Sequence, residues 1–169
     1  MGSIIAVIHN GKLEWADACG YANDFSKKKA DVETLYQAAS ITKSINALGI
    51  LKLVQGGRLS LDRDIRDDLK TWNFHDNELS KGRLITLRNL LSHTAGLSTG
   101  GFKGYTKGRS LPSLNQISDG KRPSNSEAVI PMLLPGTKRQ YSGGGTLITK
   151  KILLDNISLD YAAFMKKTI

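Results

Sequence analysis

The sequence predicts an α+β fold, and two stretches carry that prediction. IIAVIHNGKLEWADACGYAN, residues 4–23, sets apolar-rich runs on either side of Asn10-Gly11. Both turn residues of that pair readily take positive φ, which makes it a strong hairpin signal. SITKSINALGILKLVQ, Ser40 to Gln55, is apolar nearly all round and meets Gly56-Gly57. That pattern reads as a buried helix with a glycine stop.

A two-stranded hairpin is marginal by itself and needs further strands or a helix over its apolar face. After the long helix, LSLDRDIRDDLKTW (Leu59 to Trp72) reads as a polar, acidic connection. Thr86 is placed to cap a short helix, LRNLLSH, that stops near Gly96. Residues 96–126 are rich in Gly and Ser and read as a loop excursion over the surface. They contain no G-x-x-x-x-G-K-[ST] phosphate loop. LPGTKRQYSGGG (Leu134 to Gly145) reads as a turn with Tyr141 in a tight loop, then a helix from about Gly144. A last helix, capped by Ser158, runs to the C-terminus. The expected organisation is one partial domain over residues 1–169, with the hairpin in 1–24 and a mainly helical part over 38–169.

Composition excludes several classes. The chain has 169 residues, enough to bury a core without metal or disulfide staples. Cys19 is its one cysteine, so an internal disulfide cannot form. The net charge of +9 comes from 24 Lys and Arg against 15 Asp and Glu. These cations are scattered, with SKKKA (Ser26 to Ala30) the one dense run, and no aromatic-basic interleaving marks a base-stacking surface. The reading is a solvated basic surface and no nucleic-acid partner. No apolar run approaches the ~20 residues of a transmembrane helix, and MGSIIAVIHNG has neither the basic start nor the apolar core of a signal peptide. His9 and His75 have no companions at metal-ligand spacing, so neither a metal nor a cofactor is expected.

The chemistry centres on Ser40 and Lys43. One helical turn separates them, so both project from one face. A serine hydroxyl is a weak nucleophile and needs an adjacent base; a lysine serves only if burial or nearby positive charge favours its neutral form. A helix N-terminus also offers a backbone N–H and a positive dipole end to a developing oxyanion. The alternative is that Ser40 caps the helix and Lys43 reaches solvent. S-x-x-K by itself does not choose between them.

Two later segments, LLSHTAGL (Leu90 to Leu97) and LPGTKRQYSGGG, follow in order after YQAASITKSINALGILKLVQGGRLSLDRDI. Together they resemble the serine β-lactamase and DD-peptidase (penicillin-binding protein) superfamily, in particular its class C β-lactamase and esterase-like branch. The resemblance implies that Ser40 is the acylated nucleophile, Lys43 the lysine of the first motif, and Tyr141 the tyrosine of a Tyr-x-Asn motif that shares the base role. A phenol of pKa ~10 can act as a base near neutrality only if positive charge lowers that value. His93 matches a residue that looks structural in the family. Implied substrates are D-Ala-D-Ala peptides, β-lactams or short esters.

The chain departs from that family in two ways. Gly143, a substrate-binding position by resemblance, stands where the second motif often has asparagine, so no side-chain amide is offered there. The third motif, Lys-Thr-Gly or a His-x-Gly counterpart on a C-terminal strand, has no match; Lys166 to Thr168 reads KKT in a helical setting and ends in Ile169. The expectation is a truncated domain lacking its C-terminal sheet strands. It is either an inactive fragment that only binds or self-assembles, or a half-site completed by another copy or a complementing chain. Family members usually act in the periplasm or outside the cell.

Overall fold

The hairpin forms where Asn10-Gly11 places it. In the computed structural model, which describes residues 2–169, β1 (Ser3–His9) pairs antiparallel with β2 (Lys12–Cys19). Asn10 and Gly11 take φ of 49° and 72°, as a tight primed turn requires. The register runs from Ser3 opposite Cys19 to His9 opposite Lys12 and slips between Val7 and Ile8. A second, shorter pair was not anticipated: β3 (Tyr21–Asn23) with β4 (Lys28–Lys29). Its turn is built by Asn23, whose side chain accepts the backbone N–H groups of Phe25 and Ser26. These strands belong to a compact unit that ends at Ala39; a second unit covers Ser40–Ile169.

The second unit is helical: α1 (Ile41–Gln55), α2 (Ile65–Asp68), α3 (Leu87–Leu91), α4 (Leu114–Ser118), α5 (Gly143–Asp155) and α6 (Tyr161–Thr168). Helix α5 is its hub, touching α1, α2, α3 and α4. Ile148, Ile152 and Leu153 of α5 are fully buried with Ile50, Ile65, Leu87, Leu90, Leu97 and Val129. The α+β class and its helical majority are therefore as the sequence predicts.

Four local expectations are corrected. Helix α1 is not buried all round: Asn46, Gly49, Ile50 and Leu53 face inward, while Ile41, Ile45, Leu48 and Leu51 are exposed. An all-apolar helix needs cover on every side, and α5 and α6 supply it on one. They come close because Gly49 has no side chain; a Cβ there would lie 2.8 Å from the Met165 sulfur. The acidic connection holds α2, capped by Asp64, because Leu59, Ile65 and Trp72 are core residues spaced among the charges. The surface excursion holds α4, started by a reciprocal capping box between Ser113 and Gln116. Helix α6 is capped by Asp160 rather than Ser158, its carboxylate accepting the Ala163 N–H at 2.9 Å. Thr86 does cap α3, in a capping box with Asn89.

The start of α5 is a tight junction. A Cβ on Gly144 would lie 2.6 Å from a Val129 methyl and 2.9 Å from the Ser98 carbonyl oxygen. Gly144→Ala gains about 1 kcal/mol of helix propensity but forces that junction apart at a cost of about 1–3 kcal/mol. The expected result is a lower urea midpoint for the helical unit, whereas Gly56→Ala, where a Cβ meets nothing closer than 3.5 Å, leaves it nearly unchanged.

Candidate active site

Ser40 occupies the N-cap position of α1, yet its side chain makes no capping hydrogen bond to the helix. Its Oγ instead accepts one hydrogen bond from Lys43 Nζ at 3.1 Å and another from the Tyr141 hydroxyl at 2.7 Å. The hydroxyl therefore bonds a lysine and a phenol and makes no capping bond to its own helix. Lys43 reaches Ser40 because one helical turn sets them on the same face. Its ammonium also lies 4.9 Å from the centroid of the Tyr141 ring, within cation–π range.

Tyr141 is about two-fifths exposed. Hydrogen bonding by Lys43 and then by Ser40, with the lysine's charge behind them, holds its phenol below the usual tyrosine pKa. The direction is the one a base role requires.

Three contacts place Tyr141, and all converge on His93. The Gln140 N–H donates to the His93 carbonyl at 2.7 Å, and the Ser142 N–H donates to His93 Nδ1 at 3.3 Å. The His93 and Tyr141 rings lie 4.6 Å apart, tilted by 43°. His93 itself has a φ of 60°, so the chain doubles back there after α3. Ser142 then caps α5: its Oγ accepts the Gly145 N–H at 2.9 Å and donates to the Ser98 carbonyl at 2.7 Å. His93 is thus a scaffold residue, as its resemblance implies, and its partner is the tyrosine turn.

Gly143 is the first residue of α5 and is buried. A Cβ there would lie 3.1 Å from the Gly100 carbonyl oxygen and 3.3 Å from Gly101 Cα. A side chain there would require the Gly100–Gly101 backbone to give by a few tenths of an ångström. Beneath Lys43 lies a cavity of about 160 Å³ lined by Lys43, Asn46, Leu90, His93, Thr146 and Thr149 among others. Asn46 is fixed in its wall by Thr149 at 2.8 Å and the Tyr161 hydroxyl at 3.1 Å.

The remaining singled-out residues lie elsewhere. Cys19 is exposed in the first unit, 3.2 Å from the Ser3 hydroxyl. His75 bonds Asp119 at 2.8 Å. Burial opposes ionisation of that carboxyl, but hydrogen bonds from Trp72, His75 and Lys121 outweigh it and hold its pKa at about 2. Among the described residues no group of three or more His, Cys, Asp or Glu is arranged to hold a metal ion, and no helix is long and apolar enough to cross a membrane. Lys166 to Thr168 lie in α6, so they are not a strand motif.

An α+β fold whose helical unit brings a helix-start serine, a lysine one turn on and a distant tyrosine together is the architecture of the penicillin-recognising serine hydrolases. The Beta-lactamase family model matches residues 2–169, and the chain belongs to that family. It is 36% identical over 96 residues to Protein flp of Staphylococcus aureus (strain N315), covering 57% of this chain and 19% of that protein. It is 33% identical over 99 residues to Esterase EstB of Burkholderia gladioli, covering 57% of this chain and 24% of that one. The octameric penicillin-binding protein homologue from Pyrococcus abyssi superposes with a TM-score of 0.72 at 27% identity, over 99% of this chain and 37% of that one. The chain therefore spans about a quarter or less of these curated relatives.

Sequence reasoning missed Ser142 and Ser98, which hold the tyrosine turn. Ser142 carried a readable signal, a cap-forming residue directly before a helix start. Ser98 carried none, since its role is a carbonyl oxygen that any residue has. The tyrosine environment is directly measurable. In an alkaline titration followed at 295 nm, the component lost in Tyr141→Phe is expected to titrate below the ordinary tyrosine range. Lys43→Met is expected to move it back upward; an unmoved midpoint would mean that Lys43 does not set it.

Proposed function

We propose that the chain carries the nucleophilic half of a serine acyl-transfer site, with Ser40 acylated and Lys43 and Tyr141 as its activating pair. The observation that supports this most is Ser40 Oγ bridged by Lys43 Nζ at 3.1 Å and the Tyr141 hydroxyl at 2.7 Å. As Ser40 Oγ bonds to the substrate carbonyl carbon, its proton passes to the Tyr141–Lys43 pair. The oxyanion develops against the N-terminus of α1, where the Ser40 N–H and the helix dipole favour negative charge. Collapse breaks the bond to the leaving group, which takes the proton from the pair. Water then attacks the acyl-Ser40 ester with the same groups as base.

Short esters are the substrate class to try first, since one of the similar proteins is an esterase; β-lactams and D-Ala-D-Ala peptides follow from the family resemblance. In the family resemblance a third motif brings a second oxyanion donor, and removing one such donor typically slows a reaction by about 10²–10³. A second reading is a non-catalytic protein that binds a partner or self-assembles.

The test is covalent labelling. With a fluorescent penicillin and, separately, an activated short acyl ester, intact mass is expected to rise by one acyl group on the wild type and not on Ser40→Ala. Tyr141→Phe is expected to label about 10²–10⁴ times more slowly, the range for a positioned acid–base group. Absence of any adduct on folded protein would remove the catalytic reading in favour of the binding one.

A further inference from the structure

We infer that His93 is a positioning residue that holds Tyr141 against Ser40 only while its ring is neutral, so that protonating it releases the tyrosine turn. The inference concerns regulation of the site proposed above, and its catalytic consequence rests on that reading.

The argument starts from a hydrogen bond with one permitted direction. The Ser142 N–H can only donate, and it donates to His93 Nδ1 at 3.3 Å. Nδ1 must therefore carry a lone pair, which places the proton of the neutral ring on Nε2. No residue hydrogen-bonds Nε2 among the described residues, and His93 is one of the residues that line the 160 Å³ cavity beneath Lys43. A space of that size holds several waters at about 30 Å³ each, enough to accept the Nε2 proton.

Protonating the ring puts its second hydrogen on Nδ1, facing the Ser142 N–H. One hydrogen bond is lost and two donors then oppose each other. The charged groups that act on the ring are cations, Arg139 from the tyrosine turn and Lys43 from α1; the other titratable group against it is the Tyr141 phenol. Burial, then Arg139, then Lys43 keep the ring less basic than an ordinary histidine. No carboxylate compensates. The turn has a ready way to relieve the conflict: moving residues 140–142 away from His93 carries the Tyr141 hydroxyl from its 2.7 Å contact with Ser40. The Gln140 bond to the His93 carbonyl does not depend on ring charge, so the turn is loosened at one end rather than freed.

Linkage fixes the sign for stability. The folded-state pKa lies below the unfolded value near 6.5, so the unfolded chain binds more protons across that window. Stability is unaffected above it and falls as pH drops through about 6.5 toward the folded value.

The experiment has two arms, and the first does not require activity. In ¹H–¹⁵N and aromatic ¹H–¹³C spectra between pH 8 and 5, the Ser142 amide and the Tyr141 ring resonances respectively are expected to move with the midpoint of the His93 ring itself, below 6.5. They are expected to stay flat in His93→Gln, whose amide oxygen can accept the Ser142 N–H but does not titrate. A Ser142 amide that ignores the His93 midpoint overturns the inference. In the second arm, the rate of Ser40 acylation by an activated ester is read against pH. A base that must lose one proton gives a tenfold fall per pH unit; a second required deprotonation makes it a hundredfold fall below the His93 midpoint. The wild type is expected to steepen to that slope and His93→Gln, whatever its absolute rate, to keep the shallower one. Equal slopes overturn the catalytic consequence. If no acylation occurs at all, the proposed function fails while the first arm still decides the role of His93.

Discussion

The geometry of the site depends on how closely backbone can approach the first turn of α5. Gly143, Gly144 and Gly145 are all buried, and their missing side chains leave room that the chain uses on two sides. Gly100 and Gly101 lie against Gly143, and Val129 and the Ser98 carbonyl lie against Gly144. The Gly144 N–H donates to the Thr99 carbonyl at 3.0 Å, so the 98–101 strand of loop is hydrogen-bonded to the helix start as well as packed on it. A side chain at Gly143 or Gly144 would crowd that loop and strain residues 140–142, the segment that delivers Tyr141.

Close approach creates an obligation as well as a site. A helix start buried in this way leaves backbone N–H groups that must find acceptors. Ser142 Oγ takes the Gly145 N–H, the Thr99 carbonyl takes that of Gly144, and the Ser142 hydroxyl returns its own proton to Ser98. The same bonds that satisfy the helix end therefore fix the orientation of the residue just before it. Tyr141 is positioned as a consequence of capping α5, and His93 adds the one contact in that set whose strength depends on protonation.

Much of this was legible in the sequence, though unevenly. Ser40, Lys43 and Tyr141 could be picked out because motif order ties them together, and Asn10-Gly11 announces its hairpin by backbone preference alone. The burial of α1 was misjudged because composition reports that a face is apolar, not whether anything covers it; Ile41 is 69% exposed. Helices α2 and α4 were hidden in polar stretches, since at four and five residues they have too few turns for periodicity to show. Their capping residues, Asp64 and the Ser113–Gln116 pair, were the available signals. The tie from His93 to Ser142 crosses 49 positions of the chain; no local pattern encodes it, because it exists only once α3 and α5 have packed.

Positioning and catalytic completeness are separable here. Every hydrogen bond among Ser40, Lys43, Tyr141, His93 and Ser142 lies within Ser40–Ile169, and the helices that carry them meet through buried Ile50, Leu90, Ile148 and Leu153. Ser40 and its hydrogen-bond partners are therefore held by a helical core that does not draw on sheet strands for their arrangement. What a family strand would add is an oxyanion donor and a wall for substrate, both of which act on the transition state rather than on the resting geometry. The arrangement of Ser40, Lys43 and Tyr141 is thus a property of how these helices pack, and it is separable from whatever group would stabilise developing charge beside it.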